Sequence, residues 1–512
     1  MQALLGIDLG TTGVKAALFA AEDGHVLASA FVEYPLLHPH PGWAEQHPED
    51  WWQATIIALR RCFAGGLRHG IAPTDIRGVG LSGQMHGVVL LDAEHQVLRP
   101  CIIWADQRTE AQCQWMTERL GAGHLIELVS NPALPGFSAP KVLWVRDNEP
   151  EIFARTRTIL LPKDYIRYRL TGVIAMEISD AAGTCLLNVK EGTWSQEMLE
   201  AIGCDPTLLP PVIAADATSG TSTDEVASLT GLPTGTPVAG GGADNACGAV
   251  GNGVVRPGLA LVSIGTSGVV LAHATTPQVD TSGPIPRVHT FNHAAPHAWY
   301  LMGVTQAAGL SLRWVRENIG LPEQALERWS GLDAYDLLAR EAAGVPPGSD
   351  GLIFLPYLQG ERTPHLDASA RGGWIGLVAS HDRRHLIRAV LEGVAFSLKD
   401  CFTIIGEQGL ELEQVRATGG GAKSPLWRQI IADVLGVELV TTNVQEGPAF
   451  GAALLAGVAS GVYPSVEQAC EATVRVGERT EPCPEAQRIY AQSYETYRAL
   501  YPALKLVISR PP

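Results

Sequence analysis

Gly6-Ile7-Asp8-Leu9-Gly10-Thr11-Thr12-Gly13 sits between two apolar runs near the start of the chain. It reads as strand, tight turn, strand. A second copy, Ser263-Ile264-Gly265-Thr266-Ser267-Gly268, lies about half the chain further on, in the same setting. Glycines let the backbone turn its N–H groups toward an anion, and the Thr and Ser hydroxyls add donors. Two such loops facing each other across a cleft hold a nucleoside triphosphate between two domains. Either loop alone is also an ordinary hairpin turn; the pair is what carries the reading. Only the first copy has a carboxylate, Asp8. Two residues before a phosphate loop, it is badly placed for the phosphate and well placed for the Mg²⁺ that accompanies it.

The bulk composition fits that reading. The 512 residues are enough for at least two domains, and 46% hydrophobic with 18% charged residues describe a globular chain. No apolar run approaches the roughly 18 residues of a membrane span. The N-terminus lacks a basic leader and a small-residue cleavage site, so no signal peptide is expected. A net charge of −16 argues against nucleic acid and anionic membrane as partners, though local loops and Mg²⁺ can still hold ATP. The nine cysteines are scattered, with no CxxC pair, which fits reduced thiols in a cytoplasm.

The expected organisation is α/β, with domains at 1–253 and 254–460 and a peripheral helical tail at 461–512. Residues 1–35 alternate strands and turns, with a hairpin at Ala21-Glu22-Asp23-Gly24. Residues 49–70 have helical spacing. Arg77–Leu81 is a strand that delivers Ser82-Gly83-Gln84-Met85-His86-Gly87 to its end, and Val88–Leu91 returns from it. Pro237–Ala239 leads into Gly240-Gly241-Gly242-Ala243-Asp244-Asn245 and a helix. Val415–Thr418 leads into Gly419-Gly420-Gly421-Ala422-Lys423-Ser424 and a helix with Pro425 at its first position.

Four places carry chemistry. Asp244 follows three glycines at a strand end. As an isolated residue it reads as an N-cap, but the glycines give a ligand close backbone access and a carboxylate there can take a proton from a substrate hydroxyl. Gln84, Met85 and His86 together offer donors, acceptors and one apolar wall, which suits a polyhydroxylated ligand; a lone His there would read as structural. Asp106 and Arg108 either bind sugar hydroxyls or pair with each other. The Gly419–Ser424 loop frames a flat base such as adenine, or is a plain turn.

Taken together, the chain resembles the FGGY carbohydrate kinases of the actin/hexokinase/Hsp70-like (ribonuclease H-like) superfamily, over Gly6 to about residue 460. Gly136-Phe137-Ser138-Ala139-Pro140-Lys141-Val142-Leu143-Trp144 looks like the family's first signature. Gly372 through Glu392 looks like its second, and Gly360-Glu361-Arg362-Thr363-Pro364 is a further family-like segment. Within the family, Ser82–Gly87, Leu161-Pro162-Lys163-Asp164-Tyr165 and Ser179-Asp180-Ala181-Ala182-Gly183-Thr184 are most similar to the xylulokinase branch.

The resemblance implies two such domains flanking an active-site cleft, with ATP and Mg²⁺ as cofactors and a sugar as partner. It implies that Met85, His86, Asp244 and Asn245 contact a ketopentose, with Asp106 as a further candidate, and that Asp244 is the catalytic base. It places Asp8 near Mg²⁺ as a residue needed for activity, with Asp244 as the second metal candidate. Thr11, Thr12, Gly265, Thr266 and Ser267 fall at the phosphates, and Gly420 and Gly421 beside the adenosine. The implied reaction is phosphorylation of D-xylulose at its 5-hydroxyl. The rivals are a kinase of the same family for ribulose, gluconate or glycerol, and an actin-like or chaperone-like ATPase that uses the fold for binding. Nothing after residue 460 speaks to assembly, for which a homodimer is the form considered.

Overall fold

The computed structural model describes residues 2–444 and 446–508. The first sheet starts from β1 (Ala3–Leu9) and β2 (Gly13–Ala20), antiparallel about the first glycine turn, with β3 (Val26–Glu33) against β2. Helix α1 (Pro48–Arg68) follows, with Pro48 at its start and Glu49 and Asp50 in its first turn, all suited to a helix N-terminus. Its buried Trp51, Trp52, Leu59 and Phe63 join one core with Leu5, Ile7 and Leu18 of the sheet. Each such side chain contributes roughly 1.5–3 kcal/mol on burial. β4 (Ile76–Gly83) then runs parallel to β1.

Helices α2 (Ser138–Asn148) and α3 (Pro162–Thr171) lie in the long segment that precedes β5 (Thr218–Thr221), β6 (Pro237–Ala239) and β7 (Gly242–Ala243). The last two pair parallel with β4 and lead into α4 (Asp244–Gly251). The strand order is β5-β6-β4-β1-β2-β3, with β7 also on β4.

The second half repeats the plan. β8 (Gly258–Ile264) and β9 (Gly268–Ala274) are antiparallel about the second glycine turn. β10 (His289–Asn292) and β11 (Trp299–Thr305) extend that side. The long helix α5 (Arg383–Glu407) leads to β12 (Leu412–Thr418), parallel to β8. Helix α6 (Pro425–Leu435) leads to β13 (Glu438–Thr442), and α7 (Gly447–Ala459) follows. β8, β9, β11, β12 and β13 thus stand where β1, β2, β3, β4 and β6 stand in the first sheet. The duplication expected from the paired loops is present in these strands, whereas β7 and β10 have no counterpart in the other sheet.

Helix α7 does not stay with its own half. It lies on β1 and β4 of the first sheet and against α4. Glycine makes this approach possible. A Cβ at Gly80 would overlap the carbonyl oxygen of Ala452, one at Gly6 that of Ala449, and one at Gly451 that of Cys247.

Two expectations are corrected. Val89–Leu91 is a strand, but it pairs antiparallel with Thr158–Leu160 in a separate two-stranded sheet rather than returning along β4. The intervening turn places His86 at φ 69°, which redirects the chain. Of the 461–512 tail, residues 461–508 are largely helical and are not peripheral, and 509–512 lie outside the described residues. After α8 (Val466–Thr473), β14 (Val476–Thr480) adds an antiparallel strand to β13, and α9 (Pro484–Ile508) follows. Tyr490, Tyr494, Tyr497 and Tyr501 of α9 are buried in the second core, at the three- and four-residue spacing of one helix face.

Candidate active site

The C-terminal ends of β1, β4 and β7 lie side by side. Asp8 is opposite Ser82, and Ser82 is opposite Gly242. Ligands of open α/β sheets bind at this end of the parallel strands. Asp244 opens α4 two residues past Gly242. The N-cap position belongs to Ala243, so Asp244 does not cap the helix. Its Oδ1 accepts from the Asn245 backbone N–H at 2.7 Å and from Asn245 Nδ2 at 2.9 Å. Burial, with the charge of Asp8 added, pushes the Asp244 carboxyl up to about 7. That places the proton affinity of the group at the working range of a general base.

Asp8 is itself raised by burial, against the pull of the Ser82 hydroxyl and Lys15. Its Oδ1 is buried with no hydrogen-bond partner. Among the described residues no three His, Cys, Asp or Glu side chains converge as a metal cage. A lone carboxylate oxygen next to a second carboxylate fits a divalent cation that takes the rest of its shell from phosphate and water. Because the Asp8 charge helps hold the proton on Asp244, Asp8→Asn is expected to move the acid limb of the residual kcat/KM–pH profile to lower pH. A limb that stays in place would show the two carboxyls to be independent.

Met85, His86, Asp244, Asn245 and Ser267 meet in one cavity of about 250 Å³. The His86 Nδ1–H donates to the Gly183 carbonyl at 2.6 Å, which leaves Nε2 as an acceptor. Burial pulls this imidazole down to about 3, so it is neutral. Ser138 Oγ and Lys141 Nζ, both on α2, donate to the His86 carbonyl at 3.1 Å each and hold its left-handed backbone in place. Gly183 is forced to be glycine, since a Cβ there would sit 2.7 Å from His86 Nδ1.

Asp106 is not in this cavity. It is fully buried, accepts both from Arg108 Nε at 2.9 Å and Nη2 at 2.7 Å, and takes the Ala44 N–H at 2.6 Å. Of the two readings open for this pair, mutual pairing is the one the structure has. Arg108 also lies over the ring of Trp43, at 3.6 Å from its centroid.

The second half builds a larger cavity at the equivalent strand ends, where Ser263 is opposite Thr418. Gly265, Thr266, Gly420 and Gly421 line it, with Arg313, Tyr335, Asp336, Lys423 and Trp427, in a volume of about 590 Å³. Gly419 has φ 86°, and a Cβ there would lie 2.7 Å from the Ile264 carbonyl oxygen. Gly420 has open space where its Cβ would be. Gly420→Leu is therefore expected to fill the cavity and raise the nucleotide KM by roughly 10-fold with the acceptor KM unchanged, in initial-rate assays. A parallel rise in both would separate this cavity from nucleotide binding.

The loop after β8 joins the two cavities, with Gly265 and Thr266 lining one and Ser267 the other. Thr11 and Thr12 line neither. Thr11 Oγ1 accepts from Trp104 Nε1 at 2.9 Å, and Thr12 is exposed. The sequence reading missed Phe137, His289, Phe291 and Arg362 as cavity residues. Phe137 and Arg362 stand inside quoted family-like segments, whereas His289 and Phe291 lie on β10, whose cavity-facing side only the register of the folded sheet reveals.

A buried carboxylate raised to about 7 in a small polar cavity, joined through the loop after β8 to a larger glycine-lined one, fits a small-molecule kinase. The model of the FGGY family of carbohydrate kinases, N-terminal domain, matches residues 3–251, and that of the C-terminal domain matches 260–460. The chain belongs to the FGGY family of carbohydrate kinases, as its motifs led one to expect. It is 42% identical to a xylulose kinase of Bacillus subtilis strain 168 over 98% of this chain and 96% of that one. It is 41% identical to a xylulose kinase of Escherichia coli K12 over 98% and 99%. A xylulose kinase structure from Rhodospirillum rubrum superposes with a TM-score of 0.89 at 31% identity, covering 99% of this chain and all of the other.

Proposed function

We propose that this chain phosphorylates D-xylulose at its 5-hydroxyl with ATP. The observation that carries the reading is the shared loop: Ser267 lines the cavity that holds Asp244, Met85 and His86, while Gly265 and Thr266 line the cavity beside Gly420 and Gly421. The relatives named xylulose kinases support the choice of acceptor.

In this reading Met85, His86 and Asn245 hold the sugar, and Asp244 takes the proton as the 5-oxygen bonds to the γ-phosphorus and the bond to ADP breaks. Thr266 and Ser267 donate to the phosphates, with Thr12 from the opposite loop, and Gly420 and Gly421 lie against the adenosine. Asp8, with Asp244 nearby, would hold Mg²⁺, which would supply neutralisation of phosphate charge when bound. Closure of the two halves excludes water from the acceptor cavity and so limits ATP hydrolysis. Among the described residues no helix is long and apolar enough to cross a membrane, and all nine cysteines are free, which supports action in the cytoplasm.

The test is ADP release from Mg²⁺-ATP with D-xylulose, D-ribulose, L-ribulose, D-gluconate and glycerol in turn. Strong stimulation by D-xylulose alone is expected. Stimulation by another acceptor would replace the substrate but keep the kinase, and ADP release without any acceptor would overturn the reading.

A further inference from the structure

Among the described residues that line the acceptor cavity, none comes from Leu161–Tyr165 or Ser179–Thr184, two of the branch-like segments, and the mechanism above leaves both unused. The fold brings them together under the loop that ends in Asp244. Lys163, Asp164 and Arg167 of α3 meet Glu177 and Asp180 there, and all five side chains are fully buried. Lys163 Nζ lies 2.8 Å from Asp164 Oδ1, 3.5 Å from Asp180 Oδ2 and 3.7 Å from Glu177 Oε2. Arg167 Nη1 lies 2.5 Å from Asp164 Oδ1. Taking such a cluster out of water is costly, and apolar residues of similar volume often stabilise a fold as well or better. Stability alone is therefore a poor reason for it, and its contacts supply another.

The cluster grips the Asp244 loop at both ends. Arg167 Nη1 donates to the Gly240 carbonyl at 2.9 Å. Ser179 Oγ accepts the Ala243 N–H at 3.0 Å. Ala243 is the N-cap of α4, so its N–H lies outside the hydrogen bonds of the helix, and Ser179 satisfies it. The Ser179 hydroxyl is fixed in turn, because it donates to Glu177 Oε2 at 2.7 Å. The Glu177 carboxylate also takes the Ser179 N–H at 2.8 Å and the Asp180 N–H at 3.2 Å. Between the two grips stand Gly241 and Gly242, residues with the widest backbone freedom. Bonds from outside the loop are what limit that freedom. The Ser179–Thr184 segment reaches the acceptor site a second time, through the Gly183 carbonyl that takes the His86 Nδ1–H.

We infer that Ser179 is a positioning residue for the base: with Arg167 at the other end of the loop, it sets where the Asp244 carboxylate stands against the acceptor hydroxyl. This rests on the reading of Asp244 as the base and is independent of which sugar is the acceptor. Ser179 acts through the Ala243 peptide, one residue before Asp244. A shift of about 1 Å in a catalytic group costs up to about 100-fold in rate.

The experiment is a cycle of variants of the full chain: wild type, Ser179→Ala, Asp244→Asn and the two combined. It measures the single-turnover rate of phosphoryl transfer from Mg²⁺-ATP to D-xylulose, and KM for each substrate. Ser179→Ala is expected to slow transfer by about 10- to 100-fold, with both KM values within about 3-fold of wild type. Ser179→Cys keeps a side chain of similar bulk with only a weak acceptor, and its loss should fall in between. In the Asp244→Asn background the same changes should slow transfer by less than about 3-fold, because the group they place is already gone. The full loss in both backgrounds would mean a general loosening of the fold and would overturn the inference. So would an unchanged rate in Ser179→Ala, or a rise in the D-xylulose KM alone. Either Ser179 variant closes the cycle, so one that does not fold leaves the other to decide. Near-normal transfer by Asp244→Asn by itself overturns the reading of the base, and the inference with it, and that single variant tells this failure from the others.

Discussion

Asp244→Asn is expected to lower kcat by about 10²- to 10⁴-fold, the usual contribution of a positioned base, while the protein stays folded. It should also be the more stable protein at pH 8. The folded carboxyl sits near 7, against an ordinary value of 3.8. A folded value raised above the unfolded one favours the protonated native state. That stability is fully present below about 4 and is lost as pH rises through about 7. Asparagine has no such loss, so its gain at pH 8 is on the order of a few kcal/mol, read as a higher denaturation midpoint. In the wild type the same group predicts kcat/KM rising with pH through about 7. An Asp244→Asn enzyme with near-normal turnover would remove Asp244 from the role of base. A variant less stable than wild type at pH 8 would show the carboxylate to be satisfied in the fold.

Gly80→Val is expected to abolish folding or to cost well above the roughly 1–3 kcal/mol of ordinary overpacking. The atom it would meet is backbone, the Ala452 carbonyl oxygen of α7, which cannot rotate away. The measurement is soluble yield and denaturant unfolding against Gly70→Ala as a control. Gly70 has nothing within 4 Å of its missing Cβ, although its φ of 76° makes alanine mildly strained there. Comparable stability of the two variants would mean that α7 can lift off the first sheet without cost.

Much of the site was legible because its residues sit at strand ends punctuated by glycine. Asp8, Asp244, Met85 and His86 all follow that rule, and the folded sheet brings them to one edge through the registers of β1, β4 and β7. What was not legible depended on pairing across long sequence separations. Asp106 looks the same in sequence whether it faces a sugar or Arg108, and only the Ala44 N–H at 2.6 Å and the bidentate Arg108 contact decide it. His289 and Phe291 belong to a strand from the other half of the chain, and no local signal ties them to His86. The tail was read as peripheral because it has no motif, yet its tyrosine stripe carries an amphipathic signal that the strand of Val476–Thr480 does not.

The position of α7 bears on how the two halves are related as pieces of protein. The boundaries suggested by sequence similarity divide the chain between residues 251 and 260. The glycine seam of Gly6, Gly80 and Gly451 puts a helix from the later piece into the core of the earlier one. A fragment ending near residue 251 would leave Leu4, Val250 and Cys247 without the cover of Ala453, Leu454 and Phe450, in one shared cluster. The halves are therefore repeats of topology but not modules: during synthesis the first cannot close its core until about residue 460 has left the ribosome, and an exchange of halves between relatives has to carry α7 with the first sheet.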